Sequence, residues 1–122
     1  MPTTTFAQPV PEGSSRLYSA VLVDHTQQPI QPASVVSIAL TLRDLRTGAV
    51  VNGRENQNVK NANGGTLAAD GVFTMLFGPA DTAMLDGATG ERHKRRATFK
   101  VVSTQGAENH EVTFVVQNLD DV

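Results

Sequence analysis

The sequence contains no cysteine and no tryptophan, and it has few aromatic side chains of any kind. Without cysteine, the chain cannot form a disulfide framework, a thiolate zinc site or a cysteine nucleophile. With only five Phe and one Tyr, the core must consist mainly of Val, Leu and Ile. Val and Ile suit strands because their branched side chains pack well on a pleated surface. These absences favour a small aliphatic core built from β-sheets.

The chain also lacks an excess of charge and a long apolar run. Ten Lys and Arg against 12 Asp and Glu give a formal net charge of −2, too small to steer nucleic acid or an anionic membrane. The apolar runs are only a few residues long, whereas a bilayer span needs about 20. The first 15 residues have no basic start and no apolar stretch, so we expect no signal peptide. We therefore expect a soluble protein made in the cytosol, whose 122 residues form one domain.

We divide the chain into an arm, a domain and a tail. Residues 1–15 contain three Pro together with several Ser and Thr, which predicts an extended N-terminal arm. Two placements of this arm stay open, one folded back on its own domain and one lying on a neighbouring subunit. Residues 16–119 are predicted to form the domain, and residues 120–122 a short C-terminal tail. In the arm, Phe6, Pro9 and Pro11 are the residues that we predict to contact a partner.

Alternation of apolar and polar residues is clearest over residues 35–45, which read VVSIALTLRDL. Val36, Ile38, Leu40 and Leu42 share one parity and are predicted to face the core, because alternate strand residues point to opposite faces. Further strands are predicted over residues 17–23, 49–52, 72–77, 91–103 and 110–116. The last two form a hairpin whose inward side chains are Ala97, Phe99, Val101, Val112, Phe114 and Val116.

Residues 54–71 are the least regular part of the domain and contain four Asn and four Gly or Asp turn signals around few apolar residues. Val59 and Leu67 are the predicted anchors, and residues 66–68 a predicted edge strand. Long connections of this kind are often functional, so we predict that Asn58, Asn61 and Asn63 contact a partner. Further on, Asp81 is predicted to cap one helical turn over residues 82–85.

No segment has a sustained helical period, and no internal repeat is visible. About seven short strands separated by Gly, Pro and Asn turns predict an all-β fold, an antiparallel β-sandwich of two sheets with one short helical turn. A small barrel is the alternative.

A basic run at residues 92–96 reads RHKRR. Nucleic-acid binding would require these charges on one face with aromatic side chains between them, whereas strand alternation divides the run between two faces. We interpret it as a solvated strand start or as a surface that pairs with an acidic neighbour. Arg95 and Arg96 are accordingly predicted contact residues.

No spacing in the sequence indicates catalysis or metal binding. His25, His93 and His110 are too far apart to form a ligand pair on one element. The acidic turns at residues 70–71 and 86–91 lack the alternating oxygen ligands of a calcium loop, and Asx turns explain them. There is no nucleophile elbow and no phosphate loop. We expect a protein that is not an enzyme and that has no metal or cofactor.

Several stretches together resemble a known group of proteins. They read IALTLRDLRTGAVVNGRENQNVKNANGGT, DGVFTMLFGPADTAML and HEVTFVVQNL, with Glu91, His93, Ala97 and Phe99 between the last two. In these features the chain resembles small Ig-like proteins encoded among the structural genes of tailed bacteriophages. The likeness covers residues 17–119.

The resemblance implies an Ig-like β-sandwich that acts in the virion as a head decoration, a neck component or a tail-attached accessory. It implies no catalysis and no cofactor. The implied partners are other phage structural proteins, contacted in multiple copies within a symmetric assembly, rather than nucleic acid or membrane. The implied location is the virion, after synthesis in the host cytoplasm. A receptor- or glycan-binding module on the particle surface is the alternative.

Overall fold

Two β-sheets packed face to face make up the protein, which confirms the predicted all-β sandwich. The computed structural model describes residues 3–6, 8–23, 26–83, 92–104 and 106–117. The strands are β1 (Thr3–Thr5), β2 (Val10–Pro11), β3 (Arg16–Val21), β4 (Val35–Asp44), β5 (Gln57–Asn58), β6 (Gly65–Leu67), β7 (Val72–Phe77), β8 (Arg92–Ser103) and β9 (Gly106–Gln117). Two short 3-10 helices, Pro32–Ser34 and Pro79–Asp81, accompany them.

The strand order is that of an Ig-like sandwich. One sheet has the order β1-β9-β8-β4-β5, with β2 also paired to β9, and the other has the order β3-β7-β6. An Ig sandwich has the orders C-F-G and A-B-E-D, which correspond here to β4-β8-β9 and β3-β7-β6. Among the described residues, no strand lies beside β3 in the place of strand A.

Strand β4 forms the centre of the core, as its alternation predicts. Ile38, Leu40 and Leu42 are fully buried. Val36 was predicted to share their face, but 62% of its surface is exposed while Val35 is buried. The pairing of β4 with β8 shifts register between Val35 and Ser37. Such an irregularity inserts an extra residue and reverses the facing of the residues before it, so the prediction for Val36 is wrong.

Aromatic rings join the two sheets. The Phe99 ring of β8 lies 5.6 Å from the ring of Tyr18 in β3 and 5.4 Å from that of Phe73 in β7, measured between centroids. Phe77 contacts Phe99 and Phe114 at 6.3 and 5.3 Å. Pairs at these separations add stabilisation beyond their buried area. The few aromatic residues of the sequence are thus concentrated in one inter-sheet cluster.

The described residues of the N-terminal arm belong to the chain's own sandwich. β1 and β2 both pair in parallel with β9. Phe6 donates its backbone N–H to the Thr113 carbonyl at 3.1 Å, and its ring lies 5.9 Å from that of Phe114. Val10 is fully buried. Of the two placements that the sequence leaves open, these residues therefore take the one on their own domain.

Residues 54–71 are held in place by two buried anchors and by left-handed turns. Val59 and Leu67 are buried as predicted, and the predicted edge strand is present as β6. Asn52, Asn56, Asn61 and Asn63 have φ values between 50° and 57°, a conformation that Asn tolerates better than most residues. At Gly65 a Cβ atom would lie 1.9 Å from the Val59 carbonyl oxygen, so only glycine fits there.

The predicted helix cap at Asp81 is wrong. Asp81 lies inside the 3-10 helix Pro79–Asp81, and its carboxylate accepts the backbone N–H of Gly78 at 2.8 Å. The helix ends there, because Thr82 follows as its C-terminal cap. Part of the helical turn predicted over residues 82–85, like the predicted tail at residues 120–122, lies outside the described residues.

Candidate functional site

The outer face of the three-stranded sheet carries no charge: its seven side chains are four aliphatic residues and three hydroxyl residues. Alternation along β3, β6 and β7 places seven side chains on it, and we call this set the uncharged face: Leu17, Ser19, Val21, Thr66, Val72, Thr74 and Leu76. Leu17, Val21 and Leu76 are 62%, 48% and 49% exposed. Leu17 lies directly opposite Leu76, and Val21 opposite Val72. The exposed apolar side chains are therefore cross-strand neighbours rather than scattered residues.

This face shares one property with the centres of protein–protein contacts, its lack of charged side chains. Single exposed apolar residues are normal, whereas contiguous apolar patches mark interaction sites. The centres of protein interfaces are depleted of charged side chains, as the uncharged face is. Its backbone is rigid, because β7 is hydrogen-bonded on both sides, to β3 and to β6. The face can thus present its side chains in one fixed arrangement.

The outer face of the other sheet is basic by contrast. Arg43 of β4 lies opposite Arg96 of β8, and Lys94 and Lys100 of β8 share their side of the strand. Arg43 pairs with Glu55 at 3.7 Å, and Arg96 with Glu111 at 3.0 Å. Within the described ranges, neither Lys94 nor Lys100 forms an ion pair. Two cations on this face are therefore available to an acidic neighbour.

The basic run divides between the two faces as predicted, but Arg95 is not a surface residue. Its side chain is fully buried. Arg95 Nη1 donates to the Asp81 carbonyl at 2.6 Å and Nη2 to the Ala83 carbonyl at 2.5 Å. Burial lowers the pKa of Arg95, while nearby Asp44 and Asp81 raise it. Arg95 thus links the segment after β7 to β8, and its guanidinium group is not on the surface where the prediction placed it. Arg96, in contrast, is exposed.

The Asn residues predicted to contact a partner make internal hydrogen bonds. Asn61 Oδ1 accepts the Leu67 N–H at 2.8 Å, and Asn63 Nδ2 donates to the Asn58 carbonyl at 2.8 Å. Asn58 Oδ1 accepts the N–H of Lys60 at 3.0 Å. These side chains hold the turns of residues 58–67 together. Any contact that they make with a partner comes in addition to that role.

The predicted arm residues lie at different depths. Phe6 is half-buried against the core, Pro9 is half-buried, and Pro11 is exposed at the end of β2. Glu12 continues the pairing by donating its N–H to the Gln117 carbonyl at 2.9 Å. Of the three, only Pro11 is exposed to solvent.

A buried ionic cluster occupies one end of the sandwich. The Asp81 carboxylate accepts hydrogen bonds from Arg54 Nε at 2.5 Å, Arg54 Nη2 at 3.1 Å and Asn52 Nδ2 at 3.0 Å. Nearby, His93 Nδ1 lies 3.6 Å from Asp44 Oδ2, and both side chains are fully buried. The remaining bonds of Arg54 go to Gln57 Oε1 and the Asn63 carbonyl. The cluster therefore joins β4, residues 52–63 and the turn after β7.

This cluster has the features of a structural element. Its hydrogen bonds run mainly between its own polar groups and to backbone carbonyls. Among the described residues, no group of three His, Cys, Asp or Glu side chains is arranged to hold a metal ion. His25 and the acidic turn at residues 86–91 lie outside the described part of the chain.

A shallow groove of about 480 Å³ runs beside β5. Its lining comes from β4 and from residues 56–60, namely Val36, Ser37, Ile38, Ala39, Asn56, Asn58 and Lys60. Lys60 Nζ donates to the Val35 carbonyl at 2.6 Å, which holds its ammonium group against β4. The groove contains no paired acid and base that would support catalysis.

The fold and its surfaces define a small Ig-like sandwich with one uncharged and one basic sheet face. No protein-family model, no curated protein and no solved structure matches the chain. The two described helices are single 3-10 turns, and neither is long and apolar enough to cross a membrane.

Proposed function

We propose that the chain is a non-enzymatic structural component of a tailed-bacteriophage particle, docked on the capsid, neck or tail through protein–protein contacts. The uncharged face is the observation that carries this proposal. Leu17 with Leu76, and Val21 with Val72, form two exposed apolar pairs on one uncharged face, and a protein partner that covers them removes apolar surface from water. The phage assignment is supported by the sequence resemblance over residues 17–119.

The basic face supplies a second, weaker element of the docking. Lys94 and Lys100 project from the opposite sheet, and charges of this kind speed association with an acidic surface more than they tighten the complex. In a repeated assembly, one face can contact the particle while the other meets a neighbouring copy or component. The assembly is therefore expected to weaken at high salt without dissociating fully.

Glycan or receptor binding is the alternative function. Sugars usually stack on exposed aromatic rings, and here Tyr18, Phe73, Phe77, Phe99 and Phe114 are buried. Phe6, the sixth aromatic residue, is half-buried against Phe114. The structure thus offers a glycan no aromatic platform, which favours the docking function.

The test is incorporation into particles. In a phage whose copy of this gene is replaced by variants, we expect the wild-type chain in purified particles. Leu76→Lys should lower its amount about tenfold or more, because burying a charge in place of an apolar side chain in the contact costs at least about 1.4 kcal/mol. Quantitative mass spectrometry of purified particles gives the measurement.

Val36→Lys is the matched control. Val36 is an exposed apolar residue on the other sheet, 62% exposed against 49% for Leu76. A lysine there adds to the positive charge of the basic face rather than opposing it, so the substitution should not lower incorporation. Absence of the wild-type chain from particles would overturn the particle function. Equal incorporation of Leu76→Lys and wild type would overturn the role of the uncharged face.

A further inference from the structure

Strand β3 is an edge without the usual protection. Exposed sheet edges invite pairing with another chain, and proteins guard them with short strands, prolines or charges. The edge strands β5 and β6 have two and three residues, and the edge beside β9 is covered by β1 and by β2, which contains Pro11. β3 has six residues, RLYSAV, whose only charge is at its first position and which include no proline. Of the described sheet edges, β3 is therefore the one that is long enough, and sufficiently free of proline and charge, to pair with a strand of another molecule.

The hydrogen bonds between β3 and β7 show which backbone groups of β3 point toward β7 and which point outward from the edge. The Leu22 N–H bonds to the Gly71 carbonyl on the β7 side, and Leu76, one strand further, bonds to Gly64 on the β6 side. Since the groups alternate along an antiparallel ladder, Tyr18 and Ala20 bond to β7. Leu17, Ser19 and Val21 direct their N–H and C=O groups outward, away from β7. β3 pairs with β7 alone among the described strands.

The residues of β3 are self-complementary about Ser19. In an antiparallel pair of two copies centred there, Leu17 lies opposite Val21 of the second copy on the outer face. On the inner face, the large Tyr18 lies opposite the small Ala20. The one charged residue, Arg16, lies opposite Leu22, so the two copies bring no like charges together. Cross-strand apolar pairs of this kind stabilise a sheet.

We propose that β3 is a self-association edge, where two copies of the chain pair antiparallel about a two-fold axis at Ser19. The pairing converts two three-stranded sheets into one continuous six-stranded sheet and leaves the uncharged face of each copy open. A two-fold interface of this type uses the same surface on both copies. A contact of this length belongs with the small, transient interfaces, so we expect it to be concentration-dependent.

Cysteine cross-linking tests the register of the pairing, and the native chain has no cysteine that would interfere. At the axis the two Ser19 Cα atoms form a hydrogen-bonded pair, which places them about 5.5 Å apart, within the range that a disulfide bridges. Two Leu17 residues would be more than about 10 Å apart, since each faces Val21. Under mild oxidation we expect Ser19→Cys to form linked dimers and Leu17→Cys to remain largely monomeric. Equal cross-linking of both variants, or of neither, would overturn the proposal.

Sedimentation velocity over the micromolar to millimolar range tests the pairing without a cross-link. Ser19→Pro removes the central outward N–H without breaking the ladder to β7, as prolines on edge strands do, and should abolish self-association. Ser19→Thr keeps that N–H and should retain it. Val21→Lys places a positive charge on the β3 edge, as many natural edge strands do, and should also abolish self-association. This variant provides the test if Ser19→Pro does not fold. Self-association that survives in folded Val21→Lys would contradict the proposal.

The experiments distinguish a failure of the self-association proposal from a failure of the proposed particle function. Leu76 lies on the central strand β7, away from the edge, so Leu76→Lys should leave self-association unchanged. If Leu76→Lys is lost from particles but sediments like the wild type, the uncharged face is needed for docking and not for self-association. A purified wild-type chain that stays monomeric at all concentrations would refute the pairing and leave the docking proposal standing.

Discussion

Arg54 and Asp81 form a two-pronged ion pair inside the protein, with Nε and Nη2 of the guanidinium 2.5 and 3.1 Å from the two carboxylate oxygens. Both side chains are almost completely buried. The pair connects the start of the segment between β4 and β6 to the 3-10 helix after β7. Asp81 also accepts hydrogen bonds from Asn52 and from the Gly78 N–H. Each of the two oxygens of the Asp81 carboxylate therefore accepts two hydrogen bonds.

Removing one member of this pair should be costly. We expect Asp81→Ala to lower the free energy of unfolding by about 3–5 kcal/mol, because it leaves the Arg54 charge buried without its partner. Arg43→Ala, which removes the exposed pair of Arg43 with Glu55, is the control and should cost less than about 1 kcal/mol. Urea denaturation of both variants gives the comparison. Similar losses in the two variants would show that burial does not distinguish the pairs.

The N-terminal strands should contribute to stability. Val10 is fully buried and packs in the core, so Val10→Ala should cost about 1.5–3 kcal/mol. Pro11→Ala, at the exposed neighbouring position, should cost far less. Thermal unfolding of the two variants measures the difference. If Val10→Ala unfolds like the wild type, β2 is not part of the folded domain and the arm is available to a neighbour.

His110 should make stability depend on pH. Burial lowers the pKa of His110 below its ordinary value of 6.5, while Glu108 raises it. The unfolded chain therefore takes up the proton first as the pH falls, so the stabilisation is complete well above pH 6.5 and is lost as the pH falls through that value. We expect the free energy of unfolding to decrease from about pH 7.5 to pH 5.5, above the range where most carboxylates titrate.

His110→Gln provides the comparison for this pH dependence. Glutamine has no charge at any pH, so the decline over the same pH range should become shallower. Glu108→Gln removes the nearby carboxylate and should make the decline steeper. An unchanged slope in His110→Gln would assign the pH dependence to other groups.

Much of the fold follows from alternation in the sequence, because the facing of a strand residue is a local property. Ile38, Leu40 and Leu42 are buried as predicted, and the last hairpin turns where its Gly indicates. Val36 is the exception, since the irregularity that exposes it arises in the pairing with β8. The alternation of one strand carries no information on where its partner shifts register.

The candidate site was harder to predict. Both LYSAVLV and VFTMLF carry apolar residues on both parities, which was a signal that one apolar face would remain on the surface. That the two strands pair, and so bring Leu17 beside Leu76, is a matter of topology. The burial of Arg95 likewise depends on carbonyls of Asp81 and Ala83, which no local pattern links to the basic run.

The parallel pairing of β1 and β2 with β9 has a consequence during synthesis. A ribosome produces β1 and β2 before any other described strand and β9 after all of them, so the first strands have no partner until almost the whole domain has emerged. Domains that depend on such distant contacts fold slowly, and unpaired strands are prone to aggregate while they wait. The threonines of β1 keep this segment polar, and the prolines around β2, which lack an N–H, make it poorly suited to premature pairing. The arm can therefore remain unpaired in water until β9 has been synthesised and the sheet can be completed.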